Sequence, residues 1–299
     1  MKKEIKEKLS LKLAEYAQQS ILYEAILTPK PGLVDAVDQG SHKDMNVFTF
    51  IDSSTSLFKS FYDYVEAGLS CEYDEKVLFN EIRKIGIEAE KHMFETTKNI
   101  NTHKGINFSF GIILAASGYY FNTKAYENIT NFNSDDSSEI INIVKKMTCG
   151  LVENDFKNIH KKEKENLTNG EKLYLKTGFS GIRGEVESGF PTVFNLALPR
   201  LRQTLALEMS LERKLLDVLF HIMSKSSDSN VVNRGGLETL EFVNQEANNF
   251  VENNIIFQDN YKEKIEEMNK RFKAKNISPG GSADLLSVTI YFALLESLL

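Results

Sequence analysis

Leu9-Ser-Leu-Lys-Leu13-Ala-Glu-Tyr16-Ala17-Gln-Gln-Ser20-Ile-Leu-Tyr-Glu-Ala-Ile-Leu27 runs directly into Thr28-Pro29-Lys30-Pro31-Gly32. Leu9, Leu13, Tyr16, Ala17, Ser20 and Leu27 follow a three-or-four spacing, the period of one face of an α-helix. Two prolines and a glycine then forbid its continuation. Outward from this stretch the pattern repeats: Phe48 to Gly68, Glu75 to Thr97, Phe108 to Phe121, Ser137 to Glu153, Leu201 to Lys225, Leu237 to Glu252, Asn260 to Lys275 and Ala283 to Leu299 all carry helical periodicity. Pro29, Pro31, Pro191, Pro199 and Pro279 lie beside turn signals rather than inside these runs. No Asn-Gly hairpin joins alternating β-branched segments. The expectation is an all-α protein: a single multi-helix globular domain over residues 1–299, with its active site built from inter-helix loops.

Composition limits the partners. Of 299 residues, 41% are apolar and 26% charged, the balance of an ordinary globular chain rather than a disordered or multi-span one. Lys and Arg number 36 against 42 Asp and Glu, a formal charge of −6, so no summed positive field exists to attract a nucleic-acid backbone. A small polyanion can still bind where a few cations and helix N-termini converge. Cys71 and Cys149 stand in no metal-ligand or disulfide spacing, which suggests a reducing compartment. Met1 to Ser20 offers no uncharged apolar core of a signal peptide, and Leu285 to Leu295 is shorter than the ~20 residues of a membrane span. A cytoplasmic protein without membrane contact is expected. Asn122 to Ser138 and the Lys-rich His160 to Asn169 read as solvated connections.

Chemistry-bearing residues gather in five connections. Thr28 to Met45 holds Asp35, Asp38, Asp44 and His42 beside Lys30 and Lys43, a set able to bind Mg²⁺ and phosphate together. A capped, solvated loop uses the same residues. Asn101-Thr-His103-Lys104-Gly105, preceded by Glu88 and Glu90, opens the Phe108 helix, where backbone amides and Lys104 could face an anion. Gly178 to Pro191 packs four glycines around Arg183, Glu185 and Glu187, a density that implies close backbone approach or a mobile loop. Ser227 to Gly236 pairs Asp228 and Asn230 with Arg234, suited to bidentate anion contact or to simple capping. Ser278-Pro-Gly280-Gly281-Ser282-Ala-Asp284 leads into the last helix, with Ser282 as its cap and the glycines leaving room for a phosphate. His92, His160 and His221 read as structural or solvated.

Taken in order, Thr-Pro-Lys-Pro-Gly-Leu-Val-Asp…Gly-Ser-His-Lys-Asp-Met, Asn-Thr-His-Lys-Gly, Gly-Ile-Arg-Gly-Glu…Gly-Phe-Pro, Asp-Ser-Asn…Arg-Gly-Gly and Ser-Pro-Gly-Gly-Ser-Ala-Asp-Leu-Leu resemble the triphosphoribosyl-dephospho-CoA synthase family over about residues 20 to 290. The family usually has Asp-Thr-Asn where this chain has Asp228-Ser229-Asn230, and small residues where Ile106 and Asn107 stand. The resemblance implies an all-helical enzyme that moves the triphosphoribosyl group of ATP to the 2′-hydroxyl of 3′-dephospho-CoA, releasing adenine. Its product is the prosthetic-group precursor of the acyl carrier subunit of citrate lyase or malonate decarboxylase, attached to the carrier by a separate transferase.

Displacing adenine from an anomeric carbon passes through an oxocarbenium-like state, so the attacking hydroxyl needs a base and the departing purine needs assistance. Glu185 and Asp35 are the first base candidates, with His42 and His103 as further catalytic candidates. Lys30, Lys43, Lys104, Arg183, Arg234, Gly280, Gly281 and Ser282 are the candidates for holding ATP. Asp35, Asp44, Asp228 and Asp284 are the candidates for Mg²⁺, and the Gly178 to Pro191 loop is a candidate lid. Two other readings share these loops: a Mg²⁺-dependent N-glycosidic hydrolase of ADP-ribose-like substrates, and a non-catalytic nucleotide- or CoA-binding module.

Overall fold

The computed structural model describes residues 2–126, 128–163, 165 and 167–299. Met1, Glu127 of the polar excursion, and Lys164 and Asn166 of the Lys-rich stretch lie outside the described residues. The helices run in the order α1 (Lys3–Ile26), α2 (Val47–Ser70), α3 (Glu75–Thr96), α4 (Lys104–Thr123), α5 (Ser134–Thr148), α6 (Leu151–Phe156), α7 (Asn169–Thr177), α8 (Ile182–Glu187), α9 (Leu198–Leu205), α10 (Leu211–Lys225), α11 (Ser229–Glu252), α12 (Tyr261–Ala274) and α13 (Gly280–Leu295). No strand occurs among the described residues, so the all-α expectation holds. No described helix is long and apolar enough to cross a membrane.

The chain forms two compact units. One comprises Met1–Ile26, Asp44–Thr148 and Ser287–Leu299; the other comprises Leu27–Lys43 and Cys149–Leu286. In the first, α2 and α4 pack backbone to backbone. A Cβ at Gly68 would lie 2.1 Å from the Ala115 carbonyl oxygen, and one at Gly118 would lie 2.3 Å from that of Val65. Only glycine permits such an approach. Phe61, Phe110 and Tyr291 interlock edge to face, with centroids 5.5 and 5.6 Å apart, and the Tyr291 hydroxyl donates to Ser117 Oγ. In the second unit α10 packs on α11, where Phe220 and Phe250 stack at 3.7 Å.

Several boundaries differ from the sequence reading, each for a local reason. The run Ser137 to Glu153 breaks at Gly150, whose φ of 80° ends α5 and starts α6. Leu201 to Lys225 is two helices, because Ser210 caps a fresh start by accepting the Arg213 amide. Pro199, expected beside a turn, lies in the first turn of α9 within a continuous helical stretch. The π-turn Val193–Ala197 lies directly ahead of it, where the helical register changes, and proline is tolerated in a first turn because it needs no N–H there. Ser227 to Gly236 is not a loop: Asp228 caps α11, which starts at Ser229, eight positions before Leu237, and the helix carries a break at Gly236, φ 80°. The Gly-rich segment 178–191 encloses a short helix, α8.

Candidate active site

In the second unit, the loop 27–43 is shaped by its own carboxylates. Asp35 is 2% exposed. Its Oδ1 accepts the amides of Val37 (2.9 Å) and Asp38 (2.8 Å), and its Oδ2 accepts that of Lys30 (3.0 Å). This is the Asx-type turn that a short acidic side chain makes with following backbone. Lys30 is itself 1% exposed. Asp38 reaches outward to α12: Lys273 Nζ lies 2.8 Å from its Oδ1, and Asn269 Nδ2 donates to its Oδ2 at 2.7 Å. Burial pushes the Asp38 carboxyl up, but the bonds from Lys273, Asn269 and the Gly40 amide, with the lysine charge, hold it below the ordinary range. Asn269 also accepts the Gly32 amide at 2.8 Å, and a Cβ at Gly32 (φ 72°) would strike the Ile277 carbonyl at 2.3 Å. The loop is thus laid flat on the end of α12.

Beyond this clamp, three of the five connections meet. Ser41 Oγ donates to the Ile277 carbonyl (2.6 Å), and the next residue, His42, has Nε2 2.8 Å from Ser278 Oγ. From the first turns of α11, Arg234 Nη1 donates to the carbonyls of Ser41 (3.2 Å) and Asn276 (3.4 Å) and to Asn276 Oδ1 (3.1 Å). Its Nη2 lies 3.2 Å from His42 Nδ1 and 3.3 Å from Nε2. Asn276 sits at φ 55° past the end of α12, a conformation asparagine tolerates.

Asp228 joins the fourth and fifth connections. Its Oδ1 accepts the amides of Asn230 (2.9 Å) and Val231 (3.2 Å), while Oδ2 accepts the amide (2.9 Å) and hydroxyl (3.2 Å) of Ser282. One carboxylate therefore serves the N-termini of both α11 and α13. Complete burial lifts its carboxyl above the usual range despite these donors. Ser282, expected to cap α13, is instead a buried donor to that carboxylate, shared with Ser226 Oγ at 2.8 Å. A Cβ on Gly281 would lie 3.1 Å from Asp228, and one on Gly280 would lie 2.6 Å from Asn230 Nδ2, so side chains of α11 cover both glycines.

The Gly178 to Pro191 segment touches the same region, since a Cβ on Gly181 would lie 3.2 Å from that of Ser229. Each charged residue of α8 is tied to a different neighbour. Arg183 Nε donates to Asp155 at 2.7 Å, Glu187 accepts the amides of Gly150 and Val152, and Glu185 accepts the amide (2.8 Å) and hydroxyl (3.1 Å) of Thr192. Burial raises the Glu185 carboxyl, opposed by those two bonds. Lys43 is exposed, and Asp284 is half-buried in the first turns of α13.

Two candidate groups belong to the first unit, as does exposed Asp44. His103 is 3% exposed at the start of α4, with Nδ1 2.7 Å from Ser53 Oγ, which also accepts the Thr102 hydroxyl, and with Phe50 against its ring. Lys104 pairs with Glu90. Among the described residues no three His, Cys, Asp or Glu side chains converge as a ready-made metal site, and the oxygens of Asp35 and Asp228 face amide donors. Asn269, Lys273 and Asn276 escaped the sequence reading, and Ser278 stood in a quoted motif without a role of its own. The four-residue spacing of Asn269 and Lys273, which puts both on one face of α12, was the available signal.

Comparison with known proteins gives a consistent result. A family model described as CitG, ATP:dephospho-CoA triphosphoribosyl transferase, matches residues 10–299. A Streptococcus mutans protein named probable 2-(5''-triphosphoribosyl)-3'-dephosphocoenzyme-A synthase is 41% identical over 98% of this chain and 99% of its own length. Like-named proteins of Streptococcus equi subsp. equi (39%, covering 95% of this chain and 97% of theirs) and Streptococcus pyogenes serotype M1 (38%, 96% and 97%) are similar throughout. No solved structure matches the chain. The motifs on the 27–43 loop, α8, α11 and α13 and the full-length similarity agree: the chain belongs to the ATP:dephospho-CoA triphosphoribosyl transferase family and is an enzyme of that activity.

Proposed function

We propose that the transfer takes place over the loop 27–43 where it meets the starts of α11 and α13, with His42 as the general base. The observation that carries this reading is the His42 imidazole held between Ser278 and Arg234 at the junction of three motif segments. Asp35 and Glu185 are less suited, because both oxygens of each already accept bonds that shape the backbone.

In the reaction the C1′–N9 bond of ATP breaks, and adenine leaves with the bonding electrons. The 2′-oxygen of 3′-dephospho-CoA forms the new bond to C1′, its proton passing to His42, and the departing purine gains a proton. The triphosphate stays on the ribose. Lys43, beside His42, and Arg234 supply positive charge for orienting that tail, a positioning role that needs no activated phosphoryl bond. Mg²⁺ enters on the triphosphate as part of the substrate, since this ion commonly takes most of its ligands from phosphates and water. Water must be kept from the cationic sugar, or triphosphoribose would result.

The product fits the role of prosthetic-group precursor for the carrier subunit of citrate lyase, passed on to a separate transferase. Incubating the purified protein with ATP, Mg²⁺ and dephospho-CoA tests the reading. Free adenine with a CoA species heavier by the triphosphoribosyl group is expected. Free triphosphoribose with unchanged dephospho-CoA would replace the transfer by hydrolysis, and binding without adenine would make the chain a binding module.

A further inference from the structure

We infer that Ser278 is a positioning residue for the transfer: its hydroxyl fixes the tautomer and orientation of the His42 ring. The inference rests on the reading of His42 as base and deepens it.

The argument begins with backbone. Two consecutive loop residues address two consecutive residues of the α12–α13 connection: Ser41 Oγ meets the Ile277 carbonyl and His42 Nε2 meets Ser278 Oγ. The connection is itself rigid. The Ile277 amide returns to the Phe272 carbonyl (2.9 Å), Asn276 is held by Arg234, and Pro279 follows Ser278 directly before the first turn of α13. Ser278 is 3% exposed, so its hydroxyl is presented from fixed backbone and shielded from bulk water. A functional group held this way is more precise than one on a free loop.

Hydrogen-bond chemistry then selects the proton position. A guanidinium offers only donors, and Arg234 Nη2 lies 3.2 Å from Nδ1 and 3.3 Å from Nε2, so it is compatible with a lone pair on either nitrogen and the choice falls to Ser278. The serine hydroxyl, which both donates and accepts, can take a proton from Nε2 at 2.8 Å. Both neighbours are satisfied when Nε2–H donates to Ser278 Oγ and Nδ1 carries the lone pair. Nδ1 is then the basic nitrogen, which receives the substrate's proton when the substrate hydroxyl takes the place of Arg234 Nη2 on its lone pair, and the imidazole turns its other edge to Ser278. An imidazole is directed in this way by the partner of its second nitrogen. Removing the hydroxyl leaves Ser41 to hold the loop backbone but releases the ring to rotate and exchange tautomers.

Three enzyme variants and a spectrum test this. In Ser278→Ala, kcat for adenine release is expected to fall about tenfold, the equivalent of one lost hydrogen bond, while KM for ATP changes less than about twofold. The acid limb of the kcat–pH profile is expected to move, and Ser278→Thr, which keeps the hydroxyl, is expected to restore both. Nitrogen-15 spectra of histidine-labelled protein, with only five histidines to assign, are expected to show one His42 tautomer in the native enzyme and an exchanging mixture in Ser278→Ala. Unchanged kcat, pH profile and tautomer in Ser278→Ala, with His42→Gln inactive, would overturn the inference and leave the base assignment standing. Native turnover in His42→Gln would overturn both.

Discussion

Asp228 and Ser282, 54 positions apart, meet where two helices begin: the amide of Ser282 in α13 donates at 2.9 Å to the carboxylate that caps α11. A Gly-Gly-Ser segment that looks in sequence like an open phosphate cradle has its anion built in. Substituting Asp228 by Ala removes two caps at once and is expected to cost about 1–4 kcal/mol, from about 0.5–2 per cap. Urea unfolding followed by circular dichroism measures it. Ser282→Ala, which keeps its amide, should cost far less; equal losses would show that the hydroxyl rather than the amide matters.

Glu185 gives a pH signature. Burial raises its carboxyl, so the native state binds a proton more tightly than the unfolded chain does. That contribution is fully present below the unfolded value of 4.5 and is lost as pH rises through the folded value. Glu185→Gln cannot titrate, so its stability relative to the native protein is expected to improve between about pH 4 and 7. Paired urea midpoints at those two pH values decide it, and a constant difference would contradict the assignment. Its adenine release should fall much less than that of His42→Gln.

Asp38 has the opposite sign. Its carboxyl is lowered, so its stabilising contribution exists above the unfolded value of 3.8 and disappears as pH falls through the folded one. Lys273→Met removes the cation at 2.8 Å and is expected to lower the urea midpoint at neutral pH, with the deficit shrinking once Asp38 is protonated. The pair is partly exposed, so added salt should also shrink it.

Arg234 distinguishes shape from charge. Its Nη1 alone serves Ser41, Asn276 and the Asn276 side chain, a fan that an ammonium on a flexible stem does not reproduce. Arg234→Lys is therefore expected to lose about tenfold or more in adenine release with helical content intact, reflecting at least one net hydrogen bond. Native kinetics in this variant would reduce Arg234 to a point charge.

Gly68→Ala tests the α2–α4 crossing. With a Cβ 2.1 Å from the Ala115 carbonyl, the helices must separate, and a loss of about 1–3 kcal/mol or more is expected. Thermal unfolding detects it. The exposed Gly178, where a Cβ meets nothing within 4 Å, is a contrasting site at which only the positive φ of 73° opposes alanine.

The sequence by itself determined the helices and the family. Apolar spacing from Leu9 to Leu27 marks a buried face because helix period is a local property, and α1, α2, α3 and α12 end within a few residues of their pattern limits. The glycine-bearing motifs were legible because backbone freedom is also written locally, although one of them, Ser227 to Gly236, proved to be the start of α11. What the side chains of those motifs do was decided only by the tertiary structure. Asp228 reads as a metal-ligand candidate and Glu185 as a base candidate in sequence; in space Asp228 caps α11 and Glu185 accepts the amide and hydroxyl of Thr192, because a buried carboxylate takes whichever donors the fold brings to it. Asn269 carries no local mark, and the motif that holds Ser278 does not mark its role; both matter through partners 237 and 236 positions away, a distance that no periodicity encodes.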